Sequence, residues 1–190
     1  TGFASSAFIH NRFVITSRLS LTAGTRLEHF DYERHILRGT FLINEQNMLR
    51  DTSVKANSVL LQVIPGAGFN YNVSNQLGFF GGIHRGFAPP RIKDAISKDG
   101  EAYELDAELS WNYELGARGQ FLSGVEFEIT SFLMNFSNQI IPVSEYIGGV
   151  GVGVVNGGRT QHYGVETGFG IYLNKLFGFN NQLFAKVNTT

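Results

Sequence analysis

Cysteine is absent from this 190-residue sequence, which excludes a disulfide scaffold, a thiolate metal site and a cysteine nucleophile. Charge is scarce: 15 Lys and Arg stand against 16 Asp and Glu, 16% of the chain, for a net −1. That balance gives no electrostatic case for a nucleic-acid partner. No run approaches the roughly 18 consecutive apolar residues of a membrane-crossing helix. The start at Thr1 lacks the basic-then-apolar layout of a signal peptide, so the chain reads as processed or as a piece of something longer. Proline occurs only 4 times. What is plentiful is glycine, at 23 residues, and aromatic side chains, with 17 Phe, 7 Tyr and 1 Trp. So many aromatics exclude disorder, yet so little charge sits poorly with a soluble surface.

The apolar residues recur with a period of two. Leu19, Leu21, Ala23, Thr25 and Leu27 alternate with Ser20, Thr22, Gly24 and Arg26. Leu109, Trp111, Tyr113, Leu115, Ala117 and Phe121 oppose Ser110, Asn112, Glu114, Gly116, Arg118 and Gln120. Val125, Phe127 and Ile129 oppose Glu126, Glu128 and Thr130. Such alternation marks strands with one apolar and one polar face. It predicts an all-β chain of about eight strands, near residues 2–10, 18–35, 58–71, 76–86, 105–121, 125–140, 162–173 and 182–188. The connections alternate in length. Those at 11–17, 72–75, 122–124 and 174–181 are short, whereas 36–57, 87–104 and 141–161 are long.

Long structureless connections are uncommon in a compact soluble domain. Antiparallel transmembrane barrels combine short periplasmic turns with long extracellular loops, and their strands need about 9–11 residues to cross. The apolar faces have that length, with Phe30, Tyr32, Phe69, Tyr71 and Phe121 near their ends, as interfacial girdles require. A soluble β-sandwich binding module and a small closed eight-stranded barrel with a structural or adhesive role stand as alternatives.

Several segments resemble TonB-dependent outer-membrane receptors. They are Leu21–Glu28 with its Gly-x-Arg pattern, Ile64–Tyr71, and His84-Arg85-Gly86-Phe87-Ala88-Pro89-Pro90. Tyr113–Gly116, Phe136–Ile140, Asn156–Gly158 and Tyr163–Glu166 continue the series. The stretch from Gly86 to Gly116, with Lys93-Asp94-Ala95-Ile96 inside it, is most similar to receptors of the ferric dicitrate type. The resemblance implies a 22-stranded barrel closed by a plug, and residues 1–190 would be a partial barrel domain without one. About eight strands in 190 residues is roughly 24 residues per strand, so the whole barrel needs about 520. The function implied is active uptake of a ferric chelate across the Gram-negative outer membrane. TonB would supply the energy through the missing plug, and membrane lipid and lipopolysaccharide would surround the wall. No enzyme activity and no cofactor are implied.

Several residue clusters could form sites, and each has a plainer role. Arg85, Arg91 and Arg159 fall at or beyond the outer strand ends, where guanidinium forks suit a ferric complex of carboxylates. Solubility and lipopolysaccharide contact are the plainer role. His29, Asp31, Glu33 and His35 share one strand face, but at about 6.6 Å between successive members they are too far apart for one ion. The glycine-rich run 148–158 lacks the Gly-Lys-Ser/Thr ending of a phosphate loop and reads as an extracellular loop. Glu114, Arg118, Glu126, Glu128 and Glu166 face the lumen by parity, without a nucleophile beside them. His84 and Ser110 lack an orienting acid.

Overall fold

The computed structural model describes residues 2–43, 46–91, 105–142, 146–147, 150–151, 154–178 and 180–190, with backbone alone at 36–43, 46–54, 56, 142, 146–147 and 150–151. The strands are β1 (Gly2–Val14), β2 (Leu19–Ile43), β3 (Gln46–Asn72), β4 (Leu77–Ala88), β5 (Glu108–Phe121), β6 (Val125–Ser137), β7 (Ile140–Pro142), β8 (Tyr146–Ile147), β9 (Val150–Gly151), β10 (Val154–Asn156), β11 (Thr160–Tyr172) and β12 (Phe184–Thr189). The short helix α1 (Leu173–Phe177) precedes β12. The main sheet has eight strands in the order β1-β2-β3-β4-β5-β6-β11-β12, every neighbour antiparallel. β1 and β12 do not pair, so these strands do not close on themselves.

One frame runs through the sheet. Up to the Ile36↔Val54 pair of β2 and β3, odd residues pair with odd and even with even in each ladder, as in Leu21↔Phe69, Phe79↔Ala117 and Gly116↔Thr130. Residues directly opposite share a face, so the odd and even faces of successive strands merge into two continuous surfaces. The odd surface carries Leu27, Val63, Phe79, Leu115, Val165 and Phe169, all exposed. The even surface carries Ser20, Glu28, Ser110 and Asn112, all buried. Among the described residues the only buried hydrophobics are Tyr32 and Ala107. A soluble domain hides its apolar side chains; here the polar wall is the sheltered one.

The connection expected at 36–57 is instead mostly strand. β2 and β3 run on as a ribbon to Ile43 and Gln46, beyond Gly2↔Tyr32, where β1 stops. A bulge between Ile36 and Arg38 explains why alternation hid it. Ile36 pairs with Val54 but Arg38 with Asp51, so two residues of β3 face one of β2 and the parity switches. In the expected loop at 141–161, β7 pairs with β10 and β8 with β9. The short connection at 174–181 contains α1, ended by Gly178 at φ 73, the left-handed conformation that glycine tolerates. Lys93–Ile96 lie outside the described residues, as do 148–149 and 152–153 of the glycine-rich run.

Two of the short turns share one design. In Ile15–Leu19 the amides of Ile15 and Thr16 donate to the Leu19 carbonyl at 3.0 and 3.1 Å, and Thr16 Oγ1 accepts from Arg18 and Leu19. In Val73–Leu77 the amides of Val73 and Ser74 donate to the Leu77 carbonyl at 2.9 and 3.1 Å, and Ser74 Oγ accepts from Gln76 and Leu77. A hydroxyl that bonds the backbone two and three residues on fixes such a turn from within.

Candidate functional site

The polar wall holds two hollows. The lower trough, about 980 Å³, lies by the short turns and is lined by Arg18, Arg118, Glu126, Glu128, Glu166 and Lys186 among others. Arg118 stands opposite Glu128, donates to Asn70 Oδ1 at 3.0 Å and lies 5.2 Å from the Phe80 ring centre. Phe80 lies over Gly116, where a Cβ would collide with its ring. Of the lumen-facing charges expected from parity, the trough brings together Arg118, Glu126, Glu128 and Glu166; Glu114 stands higher, opposite Gly82.

The upper groove, about 590 Å³, opens where β4 parts from β3. Their ladder ends at Gly66↔His84, beside Pro65, which has no N–H to continue it. One row of pairs crosses this level: His10↔Gly24, Gly24↔Gly66 and Gly66↔His84. Gly24, Gly66 and Gly68 line the groove with Phe8, His10, Arg26, His84 and Arg85. A Cβ at Gly24 would stand 2.7 Å from the Ile9 carbonyl oxygen and 3.3 Å from His10 Cδ2, so a side chain there would fill the groove. Arg26 Nε binds Glu28 Oε1 at 2.7 Å, and Glu28 is buried.

Arg85 sits at this fork. Its guanidinium lies 5.2 Å from the Trp111 ring centre, and its Nε is buried with no hydrogen-bond partner. Arg91 follows β4 and is exposed; Arg159 is exposed between β10 and β11. All three cations expected from sequence therefore stand toward the long connections. Only Arg85 lines a groove described here, and its neighbours His10 and Arg26 escaped the sequence reading. Strand offsets decide who meets across strands, and alternation within one strand does not report them.

The rim near Arg159 is tied by Asn156. Its Oδ1 accepts from the Asp106 amide at 2.8 Å, while its Nδ2 donates to the Asp106 and Asn138 carbonyls at 2.9 and 2.8 Å. Glu108 Oε1 accepts from the Ile140 amide at 2.7 Å. Burial pushes the Tyr32 hydroxyl above the ordinary tyrosine range. Tyr32 lies past Leu27, where Asp31 and Glu33 take over the odd positions.

Among the described residues no three His, Cys, Asp or Glu side chains group to hold a metal. Glu33 of the odd-face set pairs with Lys55 at 3.3 Å. His84 stands opposite Asn112, one step from the Gly86↔Ser110 pair. Ser110 is buried, an unsuitable setting for a nucleophile that must meet substrate. No helix among the described residues is long and apolar enough to cross a membrane.

A family model described as "TonB dependent receptor-like, beta-barrel" matches residues 1–189. The ferric yersiniabactin uptake receptor FyuA of Yersinia pestis is similar, with a TM-score of 0.70 at 17% identity over 99% of this chain and 27% of its own. The FrpB iron transporter of Neisseria meningitidis gives 0.65 at 16%, over 98% and 25%. The alcaligin outer-membrane receptor FauA of Bordetella pertussis gives 0.61 at 14%, over 99% and 31%. This chain thus spans about a quarter to a third of their lengths. No curated protein matches.

Proposed function

This chain belongs to the TonB-dependent receptor-like β-barrel family, and from that premise we propose that it forms part of the wall of an outer-membrane receptor importing a ferric chelate. Family barrels of this kind lie in the outer membrane, and their members are receptors and transporters rather than enzymes. The observation that carries the reading is the inversion of the two surfaces. An exposed apolar face spanning Leu27, Val63, Phe79, Leu115 and Val165 needs lipid, while the sheltered polar face suits a wet lumen.

Tyr113 and Tyr163, both exposed and in one row through Leu133, suit the interface where lipid tails meet lipid and lipopolysaccharide headgroups. The cargo in this proposal is a carboxylate-rich chelate of the ferric dicitrate type, supported by the resemblance of Gly86–Gly116. Arg85, Arg91 and Arg159 at the long-connection end supply its guanidinium contacts. Energy comes from TonB through a plug elsewhere in the receptor.

The open order from β1 to β12 disfavours a small closed barrel, and the uncovered apolar face of the main sheet disfavours a sandwich. The test is uptake of radiolabelled ferric citrate by iron-starved cells expressing the intact receptor. Uptake that disappears on deletion of the receptor or of TonB is the expected result; uptake indifferent to both sinks the reading.

A further inference from the structure

We propose that Asn156-Gly157 is a self-modifying site: a deamidation point that the closed rim protects, and whose conversion unbuckles the rim irreversibly. The inference goes beyond uptake and stands whatever cargo the receptor carries.

Asn156-Gly157 is the only Asn-Gly pair in these 190 residues. An asparagine before glycine is open to attack by the next backbone nitrogen, because glycine has no Cβ to obstruct the approach. The Gly157 nitrogen loses its proton to solvent base and bonds to Asn156 Cγ. The Cγ–Nδ2 bond breaks, and the side-chain nitrogen takes up a proton and leaves as ammonia. Water then opens the cyclic imide at either carbonyl, giving aspartate or isoaspartate.

Each residue of the pair is required by the fold for its own reason. Asn156 Oδ1 accepts from the Asp106 amide, and its Nδ2 donates to the Asp106 and Asn138 carbonyls. A side chain that accepts on one atom and donates twice from the other is a carboxamide. Gly157 is fixed by space. A Cβ there would stand 2.8 Å from Ile141 Cδ1 and 3.2 Å from the Gln139 carbonyl oxygen, whereas Gly158 has nothing within 4 Å.

The same contacts hold the reaction off. The Gly157 amide donates to the Gln139 carbonyl, which keeps its proton from base. Three hydrogen bonds fix the Asn156 carboxamide, so its carbon turns onto that nitrogen only when they break. Asn156 also pairs with Ile140, whose amide is held by Glu108 Oε1 at 2.7 Å. The chemistry therefore waits for the rim to open, and afterwards the rim does not reclose. A carboxylate lacks both donors and brings negative charge against two carbonyl oxygens. Isoaspartate adds a methylene to the backbone and spoils the Asn156↔Ile140 register. Either product frees β10 from the ends of β5 and β6.

The test ages the intact receptor in detergent at mildly alkaline pH and maps deamidation by peptide mass spectrometry. Urea-unfolded receptor is the reference, and the exposed Asn57, followed by Ser58, is the internal control. Asn156 should convert ahead of Asn57 in urea. In the folded receptor it should convert about tenfold or more slowly than in urea, since only locally opened molecules react. Glu108→Ala, which frees the Ile140 amide without touching the pair, should recover part of the unfolded rate at Asn156 and leave Asn57 unchanged. Heat-modifiable migration in gels verifies that the variant is folded. Protease should cut converted molecules first between residues 138 and 160. No conversion in urea overturns the site. Equal folded and unfolded rates, or a Glu108→Ala rate equal to the parent's, overturn the protection by this clasp. Converted receptor as protease-resistant as fresh receptor overturns the unbuckling.

Discussion

Phe30 and Phe87 meet with ring centres 5.6 Å apart, although one is even-numbered and the other odd. Below the fork such residues would stand on opposite surfaces. Above it, the odd side of β4 lies against the even side of β2, where Phe30 also stacks on the buried Tyr32 at 5.9 Å. The contact ties the tall β2–β3 ribbon to the end of β4, at the level where the two strands no longer share a ladder. A two-stranded ribbon is marginal by itself, and this aromatic joint supports its base from the β4 side, as β1 does from the other up to Gly2↔Tyr32.

Phe87→Ala should therefore loosen the ribbon without unfolding the wall. An aromatic pair is worth about 0.5–1.5 kcal/mol beyond its buried area. Hydrogen exchange should rise around residues 28–35 and 55–62 and stay unchanged in β5 and β6. Uniform protection across the ribbon in the variant would show that the joint does not hold it.

Asn156 offers a second local test. Removing its amide leaves the Asp106 amide and the Asp106 and Asn138 carbonyls without this partner. Each group stranded away from water costs about 1–3 kcal/mol. Asn156→Ala should speed proteolysis between residues 138 and 160, and Asn156→Asp, which lacks the two donors, should do nearly the same. An Asp variant as resistant as the parent would assign the clasp to the acceptor alone.

Gly116 is a packing constraint. A side chain there meets the Phe80 ring and stands 2.9 Å from the Ile129 carbonyl oxygen. Gly116→Val should cost about 1–3 kcal/mol, as overpacking does, read as a lower urea midpoint for unfolding from detergent micelles. Gly158→Ala, with nothing within 4 Å of the new methyl, is the control and should leave the midpoint in place.

Leu122 adopts φ 39 in the β5–β6 turn and is 74% exposed. A leucine there is strained, whereas Asn tolerates the left-handed region. Asn138, at φ 58, is the chain's own example. Leu122→Asn should be neutral or stabilising by up to about 1 kcal/mol in detergent. A midpoint that falls instead would mean that the leucine side chain is held by apolar surroundings.

Much of this architecture was legible, and the limits have physical causes. Alternation from Leu109 to Phe121 and from Val125 to Ile129 marked β5 and β6 with their faces, because an unbroken pleat writes its period directly into the sequence. The ribbon beyond Ile36 was not legible, because the bulge opposite Leu37 resets the parity that identifies a strand. Of the charges lining the lower trough, Arg118, Glu126, Glu128 and Glu166 followed from parity, whereas Arg18 and Lys186 did not. The upper groove did not, since His10 and His84 meet the same glycine row only through strand offsets that no single strand encodes. The cations at 85, 91 and 159 stand toward the long connections, but nothing in the sequence showed that Arg85 would lie against Trp111.

The paired turns at Ile15–Leu19 and Val73–Leu77 also bear on the order of assembly. The bonds that close each turn come from its own hydroxyl and backbone, and the Asn72 and Gln120 amides that donate to the Arg18 and Gln76 carbonyls only tie the finished turns to their neighbours. Local closures of this kind form in microseconds, long before distant segments find each other. β1–β2 and β3–β4 can thus zip upward from the short-turn end as independent hairpins. The second zipper runs out at Gly66↔His84, so the fork marks where a locally nucleated ladder stops and slower, long-range joining has to finish the wall.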